Sequence, residues 1–331
     1  VDFDLDETQQ DLRTLATEVL AKDGGEDRFR QAGLMSVCVP EEAGGAGLGP
    51  VEMAVVLREV GSRAAVVPAL PTLAGTLALA RHGDLGLQRR CADRVALALR
   101  EPGRALAAPP LTTARRKGDG WTLTGRKANV LHPPPPDTVP ATLVTADEGL
   151  FLAEPTALTN EYASTGEPAA TLVFEDAPAE RIAGPEAVED TVQLFTAAVA
   201  AQASGVLSGA LELTTTHVRT RKQFGRALAE FQAVTMQVAD VYIAGRALDV
   251  AMWSALWRLG AGLPAERDLA LAAYHVCEGL TALHTCQHLH GGLGLDVTYP
   301  LHRYFAQGRL LTHLLGGADA QLDVIGALVS C

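Results

Sequence analysis

The sequence predicts an α+β, mainly helical fold built from three consecutive segments: helical, then β, then helical again. Three observations carry this reading. Apolar residues recur at helical spacing up to about residue 92, alternate between 93 and about 183, and return to helical spacing from about 186. The stretch from Ala187 to about Thr220 holds no proline and only two glycines, Gly205 and Gly209. A chain of 331 residues, at about 150 residues per domain, leaves room for two to three units. The expected division is 1–92, an N-terminal helical domain; 93–185, a central β domain; and 186–331, a C-terminal helical bundle.

The first segment opens with Asp6-Glu7-Thr8-Gln9, a capping-box pattern with Asp6 as N-cap. Leu12, Leu15, Val19 and Leu20 follow at helical spacing. Gly33-Leu34-Met35 leads into Val37-Cys38-Val39-Pro40 and then the loop Glu41-Glu42-Ala43-Gly44-Gly45-Ala46-Gly47. Helical patterns resume from Pro50 to Gly61 and from about Leu73 to His82.

In the second segment Val95 to Leu99, Ala141 to Thr145, Leu150 to Leu152 and Ala170 to Phe174 read as short strands. Trp121 to Gly125 alternates and then reaches a turn residue. Pro133 to Pro136 reads as an extended loop that donates no ladder hydrogen bonds. These pieces predict a small antiparallel barrel or sandwich. In the third segment the 187–220 stretch predicts a helix about 50 Å long at 1.5 Å per residue. Residues 228–259 and 264–289 predict two more helices, Gly291-Gly292-Leu293-Gly294 breaks the chain, and a last helix starts near 300. Long helices with short connections predict an up-and-down bundle.

Composition narrows the function classes. Apolar residues make up 48% and charged residues 20%, which excludes wholesale disorder. The net charge of −12 argues against a nucleic-acid-coating protein. No run of about 18 apolar residues predicts a membrane span. The acidic Val1-Asp2-Phe3-Asp4-Leu5-Asp6 is unlike a secretory or transit peptide, so a cytoplasmic location is expected. Cysteines at 38, 91, 277, 286 and 331 are odd in number and form no CxxC, so reduced, structural thiols are expected. His284 and His288 share a helix face, but residue 285 is Thr and no HExxH forms; no metal site is expected. Arg219, Arg221, Lys222 and Arg226 make one short basic run. Met252, Trp253, Leu256 and Trp257 make an apolar patch suited to core or inter-subunit packing.

Four motifs, in order and at matching separations, carry a family resemblance. Residues 40–47, Pro-Glu-Glu-Ala-Gly-Gly-Ala-Gly, resemble the PEExGGxG loop of acyl-CoA dehydrogenases. Arg221-Lys222-Gln223-Phe224-Gly225, followed by Phe231-Gln232, resembles that family's RxxFG…Q element. His290-Gly291-Gly292-Leu293-Gly294 resembles its GGxG turn, and Tyr299-Pro300-Leu301-His302-Arg303 the segment after it. The resemblance spans the whole chain and implies the acyl-CoA dehydrogenase fold: an N-terminal helical domain, a central antiparallel β domain and a C-terminal four-helix bundle. His290-Gly291-Gly292 and His302-Arg303-Tyr304-Phe305 are similar in particular to subunits of heteromeric enzymes that act on steroid side-chain thioesters.

The resemblance implies α,β-dehydrogenation of an acyl-CoA: a carboxylate takes the α-proton while a hydride passes to FAD. This sequence departs from that pattern at both family positions for the base. One falls on Gly316, within Leu314-Leu315-Gly316-Gly317-Ala318. The other, 26 residues before Arg221, falls on Phe195-Thr196. Neither supplies a carboxylate. Asp319, Asp296 and Glu212 are the nearest substitutes and read as solvated or capping carboxylates. The ring-holding β motifs are altered too. Arg100-Glu101-Pro102-Gly103-Arg104 keeps Glu-Pro-Gly but lacks the Gly-Ser that follows it in the family. After Gly125-Arg126-Lys127 comes Ala128-Asn129-Val130-Leu131, without the family's Trp and Thr.

The elements that in the family reach across an interface to the neighbour's FAD are retained at Arg221, Phe224, Gln232, His288, Leu289, His290, Gly291 and Gly292. His288 stands where many members have Gln. Loss and retention together imply an FAD-completing, non-catalytic subunit. Its expected partner is a catalytic acyl-CoA dehydrogenase subunit in an α2β2 heterotetramer. That partner would hold most of the acyl-CoA site, and an acceptor flavoprotein would take the electrons. Two other readings stay open: a self-sufficient homotetramer with an atypical base, and a flavin-free scaffold of the same fold.

Overall fold

The computed structural model describes residues 3–22, 25–133 and 142–329. Pro134, Pro135, Pro136, Ala141 and Cys331, on which part of the sequence reading fell, lie outside the described residues.

Five helices come first: α1 (Glu7–Leu20), α2 (Gly25–Gln31), α3 (Pro50–Ser62), α4 (Ala69–His82) and α5 (Leu85–Arg90). The capping box at the start of α1 forms as the sequence predicts: Gln9 N–H donates to Asp6 Oδ1 at 2.8 Å, and Asp6 N–H to Gln9 Oε1 at 3.1 Å. The buried stripe is narrower than expected, with Leu12 and Ala16 inside and Leu15 39% exposed. The glycines at 44 and 47 of the PEExGGxG-like loop take φ of 94° and 65°, which L-residues disfavour. A Cβ on Gly45 would stand 2.2 Å from the Val39 carbonyl oxygen. The backbone of this loop thus requires its own motif.

Seven strands follow: β1 (Ala96–Ala98), β2 (Thr113–Lys117), β3 (Gly120–Leu131), β4 (Thr142–Ala146), β5 (Gly149–Ala153), β6 (Ala157–Tyr162) and β7 (Pro168–Ala183). They form one sheet in the order β1-β4-β5-β7-β3-β2, with β6 also on β7. It is antiparallel throughout except that β1 runs parallel to β4, a departure from the all-antiparallel expectation. A second correction concerns Gly125. It is not a turn but the middle of β3, beside a register shift between Leu123 and Gly125. A Cβ there would lie 2.5 Å from Thr112 Oγ1, so the glycine admits a close approach. Strands β2 and β6 escaped the sequence reading because Thr-Ala-Arg-Arg-Lys and Ala-Leu-Thr-Asn-Glu-Tyr are mostly polar. Such composition suits strands exposed at a sheet margin.

The bundle consists of α6 (Glu186–Thr220), α7 (Gln232–Gly260), α8 (Glu266–Gly279), α9 (Ala282–His290), α10 (Leu301–Leu315) and α11 (Ala318–Val329). The single helix expected over 264–289 is two, interrupted after Gly279. The last helix is also two, separated by Gly316 and Gly317 at φ of 88° and 87°. Helix α6 is the axis of the molecule and packs on α3, α4, α7, α8, α9 and α10. It is long and apolar enough to cross a membrane, yet its most apolar window is 83% buried against these neighbours. It is a core helix here.

Candidate functional site

The site residues at the end of α6 are set by a tight turn. Lys222–Gln223 pairs with Arg226–Ala227 as a two-stranded hairpin. Its turn residues, Phe224 and Gly225, both take positive φ, 53° and 83°, as a mirror-image hairpin turn demands. Phe224 is 92% exposed in this left-handed conformation. Its ring meets Phe231 edge-on at 6.3 Å, and the Arg226 guanidinium lies 4.0 Å from the Phe231 ring centroid. Arg221 N–H caps α6 on the His217 carbonyl at 2.8 Å, and the Arg221 carbonyl accepts from Leu228 N–H at 2.9 Å. The Arg221 guanidinium is exposed, as is Gln232 at the first position of α7.

The second piece is the end of α9. His290 is 5% exposed. Its Nδ1 hydrogen-bonds the Cys286 carbonyl at 2.8 Å, and its Nε2 lies 3.2 Å from the Tyr299 hydroxyl. Its ring stacks on His217 of α6 at 4.3 Å with a 21° tilt. Burial pulls both imidazoles below the ordinary histidine value; His217 is lowered further by the charges of His290 and Arg221. The stack pins the Arg221 turn beside the 288–292 loop. Gly291 takes φ 57° and ψ −137°, which only glycine adopts readily, and nothing crowds Gly291 or Gly292 within 4 Å of a would-be Cβ.

Of the expected site residues, Arg221, Phe224, Gln232, His288, Gly291 and Gly292 are exposed. Leu289 and His290 turn their side chains inward. These two build the site rather than present groups from it.

The two family positions for a base lie 121 residues apart, yet the fold gathers their surroundings at one cavity of about 630 Å³. Thr196 lines it from α6 and Leu315 from the end of α10. Phe195 is 5% exposed and belongs to the core; Gly316 is the left-handed cap of α10. The lining is mostly apolar and includes Leu106, Val188, Val192, Leu269 and Val324. Of the substitute carboxylates, Asp319 and Glu212 are exposed and Asp296 accepts from Thr298 N–H and Oγ1, each at 2.8 Å. None of the three lines the cavity. Glu189 and Glu266 do, and both are exposed. Gln193 bridges them, at 3.5 Å and 3.4 Å. The sequence reading missed this pair because Glu189 reads as an ordinary first-turn acid of α6.

On the β side the retained Glu-Pro and Lys have a structural use. Lys127 Nζ, 0% exposed, donates to Glu101 Oε1 at 2.8 Å and to Thr145 Oγ1 at 3.0 Å. Glu101 also accepts from Leu111 N–H and Thr112 N–H, at 2.6 Å and 2.8 Å, and so folds back the 101–112 loop. The altered positions close a gap. Arg100 donates to the His313 carbonyl at the end of α10, and Asn129 Nδ2 lies 3.4 Å from His313 Nε2. Leu131 is buried in the core. A planar flavin ring does not fit the chain's own cleft as arranged. Its β wall presents Arg100 and Asn129, both engaged with α10, and no stacking ring. The exposed turn of Arg221, Phe224, Gln232 and the 291–292 backbone has the donor set and access that a diphosphate and an adenine require.

One further feature was legible in the sequence but not read. Met236, Ile243, Val250 and Trp257 recur at seven-residue intervals on α7 and are 61%, 62%, 51% and 41% exposed. A seven-residue apolar seam is the pattern of a helix that packs on another helix.

Comparison with known proteins bears on the family and the fold. Residues 7–97 match the acyl-CoA dehydrogenase N-terminal domain family, and residues 183–329 match the acyl-CoA dehydrogenase C-terminal domain family. The chain is 37% identical to the acyl-CoA dehydrogenase FadE28 of Mycobacterium tuberculosis, over 100% of this chain and 99% of that protein. Among solved structures, it superposes on a variant of the Tcur3481-Tcur3483 steroid ACAD with a TM-score of 0.88, at 35% identity over 98% of each chain. It superposes on the ChsE4-ChsE5 complex from Mycobacterium tuberculosis with a TM-score of 0.89, at 30% identity over 100% of this chain and 99% of the other.

Proposed function

This chain belongs to the acyl-CoA dehydrogenase family, and from that premise we propose that it is the FAD-completing, non-catalytic subunit of a heteromeric member. The observation that carries the proposal is the pair of family base positions: Phe195-Thr196 and Gly316 supply no carboxylate, and of their surroundings Thr196 and Leu315 line the 630 Å³ cavity. The carboxylates that do reach the cavity, Glu189, Glu266 and Asp147, stand at none of the family's base positions.

Bound FAD supplies the hydride acceptor of the family reaction. This chain's own residues bind and orient it from across an interface. The Arg221 guanidinium, free of any ion pair among the described residues, offers charge-assisted hydrogen bonds to phosphate oxygens. Gly291 and Gly292 let backbone N–H groups approach the same anion. Phe224 and Gln232 supply an aromatic face and an amide for a base. The His217–His290 stack holds the two halves of this surface in register.

Partnering is supported by the α7 seam and by Leu295 and Val297, 71% and 75% exposed beside the 291–292 loop. The reading is therefore an α2β2 heterotetramer whose catalytic subunits hold the base and the acyl-CoA. Electrons leave to an acceptor flavoprotein. A steroid side-chain thioester is the substrate favoured by the similarity to the steroid ACAD structures. The cytoplasm is the location assigned; the described cysteines, Cys38, Cys91, Cys277 and Cys286, are buried free thiols.

Co-expression with the partner tests the reading. One FAD per heterodimer is expected, with Arg221→Ala weakening flavin retention about 10- to 150-fold, the worth of a charged hydrogen bond. A lone chain that purifies with flavin and turns over acyl-CoA would sink it. A flavin-free scaffold would lose nothing on Arg221→Ala.

A further inference from the structure

Helices α9 and α10 are joined by a loop, residues 291–298, with little packing of its own. Only Gly294 within it is buried, and Leu295 and Val297 are 71% and 75% exposed. Gly291 and Gly292 open the loop with uncrowded backbone. Holding such a segment in one conformation costs entropy, and the structure ties it to α9 at two points. Midway, Gln287 Nε2 donates to the Gly294 carbonyl at 3.3 Å. At its base, His290 and Tyr299 face each other from the two ends. The Tyr299 hydroxyl lies 3.2 Å from His290 Nε2, and the ring centroids are 5.3 Å apart.

The donor in that contact follows from the other side of the imidazole. His290 Nδ1 meets the Cys286 carbonyl at 2.8 Å, and a carbonyl can only accept, so Nδ1 carries the proton. Burial lowers the pKa of this ring and keeps it neutral. Nε2 is therefore a bare lone pair, and the Tyr299 O–H donates to it. The return limb of the loop delivers Tyr299 to this place. Asp296 Oδ1 accepts from Thr298 N–H and Oγ1, the Asp296 carbonyl accepts from Tyr299 N–H at 3.1 Å, and the Tyr299 carbonyl accepts from His302 Nδ1 at 2.7 Å. His290 is fixed in turn by its stack on His217 of α6, so the same bond relates the loop to the Arg221 turn.

We propose that Tyr299 is a positioning residue for the flavin diphosphate: its hydrogen bond to His290 clasps the 291–298 loop and sets the Gly291-Gly292 backbone where the anion meets it. The inference rests on the FAD-completing role proposed above. Tyr299 acts through His290 and the loop rather than on the ligand. Without the clasp the loop has more conformations to lose, and the flavin must order it on binding.

Flavin release from the assembly co-expressed with its partner tests the clasp. Tyr299→Phe keeps the ring and its packing and removes only the hydroxyl. It should weaken flavin retention about 2- to 12-fold, the worth of one neutral hydrogen bond. A general loosening of the fold would not report on the acceptor, so the second readout is the imidazole itself. In nitrogen NMR spectra of Tyr299→Phe, the His290 Nε2 resonance should move toward that of an unbonded ring nitrogen while Nδ1 stays protonated. Hydrogen exchange should quicken in residues 291–298 and not around Leu311 in the core of α10. Arg221→Ala separates the clasp from the reading beneath it. If Arg221→Ala loosens flavin and Tyr299→Phe does not, the clasp is overturned and the subunit role stands. If neither variant affects flavin, the subunit role falls and the clasp with it. An unmoved Nε2 resonance would overturn the clasp whatever the flavin does.

Discussion

Lys127 and Glu101 form the most buried ion pair among the described residues, with side chains 0% and 6% exposed. Burial pulls the Lys127 ammonium down to about 8, against the pull of Glu101. Burial pushes the Glu101 carboxyl up, but Lys127 and the hydrogen bonds from Thr112 and Leu111 outweigh it, and the net direction is down. Removing one partner strands the other, so Lys127→Met should cost about 3–5 kcal/mol, measured by urea unfolding. The sign for Glu101 follows from its lowered value: its contribution is complete at neutral pH and is lost as pH falls through the folded-state value. The imidazoles of His217 and His290 obey the same rule from a different start. Both are lowered from 6.5, so their contribution is present above about pH 6.5 and disappears on acidification. The assembly should therefore release FAD more readily as pH drops below 6.5. His217→Phe, which keeps a stacking ring but cannot be protonated, should flatten that profile in a flavin-release assay. These residues were only partly legible beforehand. The Arg221 turn announced itself by motif, whereas the stack behind it joins positions 73 residues apart that share no local pattern.

Packing of α3 on α6 shows what a glycine does at the scale of an element. A Cβ on Gly205 would stand 1.9 Å from the Arg58 carbonyl oxygen, one on Gly61 2.0 Å from that of Gln202, and one on Gly209 2.2 Å from that of Ser62. The two helices touch backbone to backbone along three successive contacts. In the sequence Gly205 and Gly209 are merely the two interruptions of a long helix; in the structure they are why α3 can lie so close. Gly205→Ala should destabilise by at least about 1–3 kcal/mol despite alanine's better helix propensity, read as a fall in Tm. The helix breaks follow a similar logic. Two left-handed glycines stop α10 and start α11, a signal available in Gly316-Gly317. The α8–α9 break at Gly279-Leu280-Thr281 has no such doublet, and a helical pattern runs through it.

At the scale of the whole molecule, the exposed seam on α7 is the surface that the proposed assembly would cover. Ile243→Asp, in its middle and 62% exposed, should leave the chain folded. It should shift the assembly toward smaller species by light scattering, with flavin lost in proportion. Retention of a full heterotetramer by that variant would move the interface elsewhere. The 630 Å³ cavity also has a structural use that a non-catalytic subunit, as proposed, would keep. The walls of the 630 Å³ cavity are also the contacts that join the β sheet, α6, α8 and α11.

Residue order alone determined the three segments, their helical or alternating character, the family motifs, and the loss of a carboxylate at 195 and 316. Each is a local property, written in period or identity. Tertiary structure alone decided that β1 runs parallel to β4 and that Leu289 and His290 face inward. It also decided that the neighbourhoods of positions 195 and 316 meet at one cavity, and that Arg100 closes on α10 with no counter-ion among the described residues. Those outcomes depend on which distant surfaces exclude water together. Such contacts bring residues up to 242 apart in the chain into hydrogen-bonding distance and leave no periodic trace in either partner's own neighbourhood.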